Sequence, residues 1–529
     1  MVFFRSILTK IYFVFILPLA TILSTYIFLY PYWHQCSFPP VTPSGPIGRT
    51  QPALAPFRLL TLADPQIEGD TRLIRIKLRM PVGSWIDIPR AAFAGDVAAL
   101  RQAVADTLDR AVLWGMYVQK WIDLQGNDLY LAHVFRTMYW WTKPSHVTVL
   151  GDLLSSHWIK DEEFFRRADR FWGLIFRGMG KLDVEEVEED GQVKSDKIDW
   201  SRKIMNVAGN HDIGYAGDMT KERITRFQQA FGEPNYMWEF RSPEPPQNFT
   251  YPSSSDGQET DTTFPVLRVI ILNSLTLDTP LWDSSLAGAS LDMINRSRGM
   301  KLNSPHQSTL LLTHLPLYKP AGVCTDGPAF DYYTPNYGSG VKSQNHLSDI
   351  SSHLLLGWVF GIPSGTQDNA LRWRNNGLIM TGHDHPGCDV WHYFDGEALN
   401  EFGTNGQWSV TGYSNRGDIA GTLREQGVVV GEGAESESTA FEGVREITVR
   451  SMMGEFSGNS GLLSAWFDWD AMMWRFEYAA CEFGIQHLWW ATYICLFLVS
   501  VGGVVLGACK MGSFLRITKS KAPVEKKTQ

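Results

Sequence analysis

The chain has 529 residues, 44% of them hydrophobic, and a formal net charge of −9. That length and apolar content suffice for one large domain or two smaller ones with a sizeable core. The acidic balance excludes a nucleic-acid surface, which needs a basic patch or stripe, so no nucleic-acid partner is expected.

The apolar residues are unevenly placed. Ile11 to Tyr30 is a run of 20 residues without charge, preceded by Arg5 and Lys10 and followed by Pro31-Tyr-Trp33. Leu488 to Ala508 is a second such run, opened by Trp489 and Trp490 and followed by Lys510, Arg516, Lys519, Lys521, Lys526 and Lys527. A helix crosses a bilayer in about 20 residues and carries aromatics at its interfaces, so transmembrane helices are expected over 11–30 and 488–508. A cleaved signal peptide is the alternative for the first run and a buried core helix for the second. Basic residues flank both runs on their terminal sides, which puts residues 1–10 and 509–529 in the cytosol and the rest in a lumen. Two glycosylation acceptors, Asn248-Phe-Thr250 and Asn295-Arg-Ser297, fall in that lumenal part. So do Cys36, Cys324, Cys388 and Cys481, whose pairing the sequence leaves open.

In chain order, residues 31–56 read as a Pro-rich linker. Phe57-Arg-Leu-Leu-Thr-Leu-Ala-Asp64 is the first buried strand. A long insertion follows, with helical spacing of Leu, Val, Ile and Trp from Ala91 to Trp121, then Gly126-Asn-Asp128 and His133, where Asp128 and His133 read as caps of a turn. His146 to Asp152 is the second strand, and Asp161 to Phe176 the helix after it. Lys181 to Asp199 reads as an acidic surface excursion, Lys203 to Val207 as a strand, and Arg241 to Thr263 as a loop. Val266–Leu272, Thr309–His314 and Leu378–His385 are further strands. Between the last two, Cys324 to Gly365 forms a wall of the site. Gly396 to Gly443 is irregular, and alternation over Glu446 to Phe476 predicts closing strands of a domain spanning 57–480.

Five of the apolar runs end in Asp, Asn or His: at Asp64, Asp152, Asn210, His314 and the pair His383 and His385. Open α/β sheets place ligand sites at the carboxyl ends of their strands. These are oxygen and nitrogen donors with no thiolate, suited to Mn²⁺, Fe, Zn²⁺ or Mg²⁺. There are more of them than one tetrahedral ion needs, so a two-metal site with a shared carboxylate is the economical reading. His383 and His385, alternate residues at a turn, can point at one ion. His133, His157 and His392 read as structural or surface residues.

The ordered set Asp64-Pro-Gln66, Gly151-Asp152, Gly209-Asn-His-Asp212, Thr313-His314 and Gly382-His-Asp-His385 resembles the calcineurin-like metallophosphoesterases. The resemblance implies an α/β fold, a four-layer αββα sandwich, here flanked by two transmembrane helices. It also implies two divalent ions. Asp64 and His385 would bind the first, Asp152 would bridge, and Asn210, His314 and His383 would bind the second. His211 would serve the leaving oxygen, with Asp212 orienting its ring. Most of the superfamily has Asp-x-His in the first motif, and here the third place is Gln66. A neutral amide is the weaker donor, so Gln66 either holds the first ion loosely or favours Mn²⁺, the expected metal.

Ala63-Asp-Pro-Gln-Ile-Glu-Gly69 with Gly126-Asn-Asp-Leu-Tyr-Leu-Ala-His133, between two spans, is similar to a narrower group. These are the fungal phosphodiesterases that remove ethanolamine phosphate from mannose of glycosylphosphatidylinositol (GPI) anchors. That likeness implies an endoplasmic-reticulum membrane enzyme cycling to the Golgi, GPI-anchored proteins or GPI lipid as substrate, and a role in export of anchored cargo with cargo-receptor partners. The terminal Lys526-Lys-Thr-Gln529 resembles a dilysine signal read by retrieval-coat partners. A lumenal phosphatase or nucleotidase of the same fold and a non-catalytic cargo receptor are the alternatives.

Overall fold

The computed structural model describes residues 2–42, 54–81, 85–182, 186–188, 191–193, 198–243, 264–299, 306–324, 328–360, 377–399, 405–416 and 443–520. The chain divides into two compact units, Cys36–Glu482 and the pair of terminal segments Met1–Gln35 with Phe483–Gln529.

The larger unit is built on two sheets. The first contains β1 (Phe57–Leu62), β2 (His146–Val149), β3 (Ile204–Asn206), β13 (Asn459–Asp468) and β14 (Met473–Glu482), in the order β14-β13-β1-β2-β3. The second contains β4 (Tyr236–Arg241), β5 (Val266–Leu272), β6 (Gln307–Thr313), β9 (Gly377–Thr381), β10 (Cys388–Leu399), β11 (Asn405–Gly412) and β12 (Gly443–Thr448), in the order β11-β10-β12-β9-β6-β5-β4. A separate ribbon pairs β7 (Phe330–Tyr332) with β8 (Val341–Gln344). Strands β1, β2 and β3 run parallel, as do β5, β6, β9 and β12.

The two sheets face each other. Phe57 and Leu59 of β1, Trp238 of β4, Val269 of β5, Leu310 and Leu312 of β6, Met380 of β9 and Leu463 of β13 belong to one buried cluster. The alternate residues Leu60, Leu62, Ile270, Leu311 and Ile379 are buried as well. Strands covered on both faces read as unbroken apolar runs, which is why these segments are so plain in the sequence. The outer cover follows from parallel pairing, which needs crossover helices. These are α5 (Val97–Thr142) between β1 and β2, α6 (Asp161–Arg170) between β2 and β3, α9 (Ala287–Gly299) between β5 and β6, and α10 (Asp349–Phe360) between β6 and β9. With the inner faces spent on each other, the helices lie outside, and the fold is the expected αββα sandwich. The short α7 (Asn210–Ile213) and α8 (Lys221–Phe231) follow β3, and α3 (Thr71–Leu78) and α4 (Asp87–Ala94) precede α5.

Several local expectations are corrected. Gly126 to His133 forms no turn: it lies inside the 46-residue α5. Helical packing there overrides the turn propensity of Gly-Asn-Asp, because Leu124, Tyr130, Leu131, Val134 and Met138 all bury apolar surface. Part of the linker is pinned, with Phe38 buried and the Pro39 carbonyl accepting from Ser464 Oγ at 2.7 Å. The acidic excursion places Leu182 and Val193 in the core and packs Val187 and Ile198 against it. The stretch read as irregular, 396–443, contains the end of β10, β11, a 3-10 turn (Tyr413–Asn415) and the first residue of β12; residues 400–404 and 417–442, most of Arg241–Thr263 with Asn248, and the Lys526–Gln529 tail lie outside the described residues. The cysteines pair as Cys36–Cys481 and Cys324–Cys388, with Cα separations of 5.4 and 5.9 Å.

In the smaller unit, α1 (Val2–Ile11), a π-helical turn (Tyr12–Ile16) and α2 (Leu17–Trp33) form one continuous helix, and α11 (Gln486–Ser520) a second. Ser6–Trp33 and Gln486–Met511, 28 and 26 residues long, each contain an 18-residue stretch of mean hydropathy 2.1 and extend beyond the two charge-free runs. Gly502 lets the helices approach, since a Cβ there would stand 2.7 Å from Tyr12 Cδ2. Thr21 and Thr25 donate their hydroxyls to the Leu17 and Thr21 carbonyls, a pairing that suits hydrocarbon surroundings. These helices mark the chain as membrane-associated.

Candidate metal centre

The site residues leave their strands through left-handed turns. Asp64, Gln66, Asp152 and His383 have φ of 52°, 43°, 48° and 72°, a region that non-glycine residues enter at a cost of about 1–3 kcal/mol each. The surroundings hold them there. Gln66 N–H donates to the Asp152 carbonyl at 2.9 Å, the backbone N–H of His383 donates to Asp64 Oδ1 at 3.1 Å, and Ser451 Oγ donates to the Asp64 carbonyl at 3.1 Å. Two motif glycines are required by close approach. A Cβ on Gly209 would stand 2.0 Å from the Asp152 nitrogen, and one on Gly151, at φ 90°, would stand 2.2 Å from His314 Nδ1.

These turns bring two overlapping groups of donors together. Asp152, His314 and His383 form one, and Asp64, Asp152 and His385 the other; within each group the donor atoms lie within 4.8 Å of one another. Asp152 belongs to both. His383 and His385 fall in different groups, so they do not converge on one ion. Asn210 completes the first group through its Oδ1, 3.0 Å from His314 Nε2. Gln66 faces the second, its Nε2 3.2 Å from Asp152 Oδ2 and 3.1 Å from His385 Nε2.

The donor set fits two divalent ions. His314 turns Nδ1 to the Leu150 carbonyl at 2.8 Å, and His383 turns Nε2 to the Gln344 carbonyl at 2.9 Å. Each bond fixes one ring N–H on a backbone oxygen and leaves the other nitrogen's lone pair facing the cluster, the arrangement a ligating imidazole adopts. Asp64 and Asp152 are both essentially inaccessible to water. Burial drives the Asp64 carboxyl well above the usual range, against the pull of His314, with Asp152 and Asp212 adding to the rise. Burial works against Asp152 too, but His314 outweighs it and holds that carboxyl low. His314 loses basicity to burial and regains more from Asp152, reaching about 9. His383 is pulled down to about 3 by burial and by His314. A cluster of buried carboxylates that drags an imidazole this far demands positive charge, and divalent cations supply it.

His211 sits at the open edge, its side chain 39% exposed and Nε2 3.8 Å from Asp152 Oδ2. Its ring is oriented by the Ser155 carbonyl, which receives Nδ1–H at 2.9 Å, and not by Asp212 as expected. Asp212 is fully buried and accepts from the backbone N–H groups of Leu153, Leu154 and Gly209 at 3.1, 2.9 and 2.9 Å. It staples the β2 loop to the β3 loop, and burial beside Asp152 raises it to about 7. Asn295 is exposed on α9, with Ser297 buried beneath.

Other contributors carry no motif. Asp128 is buried and bidentate to Arg170 at 2.7 Å, while Arg170 also donates to the Glu68 carbonyl at 2.7 Å, so α5 braces the loop that carries Gln66. His157 Nε2 pairs with Asp218 Oδ2 at 2.7 Å, and Tyr333 Oη reaches the same oxygen at 3.5 Å. Tyr215 stands edge-on to His383 at 6.3 Å between centroids. Backbone carbonyls leave no trace in a residue pattern, and the Asp218 cluster gathers three separate loops.

Sheets, crossovers and paired donor groups together define a two-metal phosphoesterase. No protein-family model matches the chain. It is 33% identical over 430 residues to Protein TED1 of Saccharomyces cerevisiae, covering 72% of this chain and 76% of that protein. It is 23% identical over 289 residues to Metallophosphoesterase 1 of Cricetulus griseus, covering 51% and 58%. A dimetal phosphatase from Danio rerio aligns over 81% of this chain at 11% identity and a TM-score of 0.29, too distant to carry weight. The chain belongs to the metallophosphoesterase family that includes Protein TED1.

Proposed function

We propose that this metallophosphoesterase removes an ethanolamine-phosphate branch from mannose of GPI anchors at the endoplasmic-reticulum membrane, with Mn²⁺ as its metal. The observation that carries the reading is a shared buried carboxylate between two donor groups, in a domain whose chain enters and leaves through apolar helices. A phosphodiester on a membrane lipid meets such a domain in two dimensions. Glycosylation at Asn248 and Asn295, cytosolic termini and retrieval through Lys526 and Lys527 belong to the same reading, as does a link to export of anchored cargo.

Asp64, Asp152 and His385 would hold one ion, with Gln66 beside it, and Asp152, Asn210, His314 and His383 the other. The ions supply Lewis acidity toward the phosphoryl oxygens and lower the pKa of water. The protein holds the ligand rings through the Leu150 and Gln344 carbonyls and keeps the exposed His211 next to them. With Nδ1–H fixed on Ser155, His211 carries its transferable proton on Nε2, and this proton passes to the mannose oxygen as the P–O bond breaks. His211→Ala is expected to lower turnover about 10²–10⁴-fold while both metal equivalents remain. Activity and metal content measured on one preparation check this, and an equal loss of both would recast His211 as a ligand.

The substrate is tested by mass spectrometry of GPI glycans incubated with the detergent-purified chain, with and without Mn²⁺. Metal-dependent loss of one ethanolamine phosphate is the expected result, and it also identifies the mannose. Intact glycans alongside hydrolysis of bis(p-nitrophenyl) phosphate would overturn the substrate while leaving the phosphoesterase in place.

A further inference from the structure

The motifs of the metal centre leave one large feature unused. Every buried residue of α5 lies between Leu124 and Met138, so residues 97–123 project from the domain as roughly 40 Å of helix at 1.5 Å per residue. This half is amphipathic in the wrong sense for a soluble protein. Val104, Leu108, Val112, Trp114, Trp121 and Ile122 share one broad face at helical spacing, and all are exposed, Leu108 and Val112 at 62%. Arg101 and Gln119 are exposed between Leu108 and Val112 on the helix circumference, and at the domain end Lys120 bonds Glu68 at 2.7 Å and Asp123 at 2.8 Å. The neighbouring helices extend the apolar surface. Phe93 of α4 is 94% exposed, and α3 presents Ile74 and Leu78 among exposed Arg72, Arg75, Lys77 and Arg79. Four basic residues around so short a helix, in a chain of net charge −9, form a local positive patch. Monomeric soluble proteins do not leave an apolar surface of this extent in water.

Three observations select the occupant. Basic residues beside aromatic and aliphatic ones are the composition of helices that lie in the plane of a bilayer interface. The basic patch complements anionic phosphate of lipid headgroups. Chain connectivity then holds the domain at a membrane: two residues separate Trp33 of α2 from Cys36, three separate Glu482 from Gln486 of α11, and the Cys36–Cys481 disulfide joins the two ends. We propose that α3, α4 and the free half of α5 form a membrane-docking arm, with the apolar face at the acyl boundary and the α3 cations at the headgroups. The arm continues rigidly into the buried half of α5, where Asp128 and Arg170 brace the Gln66 loop, so docking would orient the metal centre over lipid-borne substrate.

The test uses the full chain in liposomes, with Cys495 and Cys509 replaced by Ser and an environment-sensitive fluorophore on Leu108→Cys, Val112→Cys or, on the opposite side of the helix, Asp106→Cys. Expected are blue-shifted emission and quenching by headgroup-proximal spin-labelled lipid at the first two positions, and water-like emission at the third. Absence of lipid quenching at Leu108→Cys and Val112→Cys overturns the proposal, and so does a blue shift without lipid quenching, which would assign the face to a protein partner or a second copy. Turnover adds an independent readout. Leu108→Glu with Val112→Glu should slow hydrolysis of a lipid-embedded phosphodiester and leave a soluble one unchanged; equal rates on both substrates relative to the parent would overturn the arm's role.

Discussion

Asp152→Asn is expected to abolish phosphodiester hydrolysis, by roughly 10³-fold or more, the scale on which removal of preorganised electrostatic stabilisation acts. Among the described residues, Asp152 is the side chain shared by both donor groups. Its Oδ1 lies 3.3 Å from His314 Nε2 and accepts the backbone N–H of His211 at 2.8 Å, and its Oδ2 faces Gln66 at 3.2 Å. An amide keeps the shape and loses the charge that two cations must share. Metal content should fall below two equivalents per chain, measured by elemental analysis after dialysis. The stability effect separates metal binding from folding. In the wild type, added metal binds the folded state alone and raises the melting temperature by mass action. The Asn variant should melt near the metal-free wild type and respond weakly to added ion. A variant that keeps two tightly held ions, or one that hydrolyses at the wild-type rate, would remove the shared carboxylate from the centre.

How much of this was legible in the sequence depends on where the chemistry resides. Asp64, Asp152, Asn210, His314, His383 and His385 were readable because each closes an apolar run, and a strand buried on both faces is the plainest signal in an α/β chain. Their division into two sets around Asp152 was implied by the family resemblance and not by the residues alone, which do not show that β1, β2 and β3 belong to one sheet and β6 and β9 to the other. His211 was readable as a site residue, while its orienting partner was not, because the Ser155 carbonyl has no residue signature. Asp212 was placed one bond away from its work: the resemblance implied the His211 ring as its partner, and the fold gave it three backbone N–H groups instead. The turn expected at Gly126-Asn-Asp128 failed because tertiary burial overrides local propensity, and Asp128 then serves as a buried partner for Arg170. The cysteine pairs were open for the reason all such pairs are: spacing along a chain does not report proximity across 445 residues.

Glu446→Gln is the second large effect, on stability rather than chemistry. Glu446, Lys319 and His392 form a triad buried to within 3% exposure, with Glu446 Oε1 2.8 Å from Lys319 Nζ and Oε2 2.5 Å from His392 Nε2. The Leu317 N–H adds a third donor at 3.2 Å. Lys319 follows β6, Glu446 lies on β12 opposite Ile379 of β9, and His392 lies on β10, so one carboxylate ties the loop after His314 to β10 and β12, and β12 is the strand paired with β9. Burial would raise the Glu446 carboxyl, but Lys319 and His392 outweigh it and bring it down to about 2. A depressed folded-state value stabilises above the ordinary glutamate pKa of 4.5, and this contribution is lost as pH falls from there toward 2. Removing the charge strands a buried ammonium, which costs about 3–5 kcal/mol. Denaturant unfolding of the full chain at pH 7 should show that loss, and the gap between wild type and E446Q should narrow as pH drops below 4.5. Replacing all three groups with apolar residues, Lys319→Met, Glu446→Leu and His392→Phe, should recover most of the stability, because the penalty belongs to the unpaired charge and not to the lost bonds. Equal midpoints for wild type and E446Q at pH 7 would show that the triad does not hold these strands, whereas recovery in the apolar triple variant would locate the cost in desolvation.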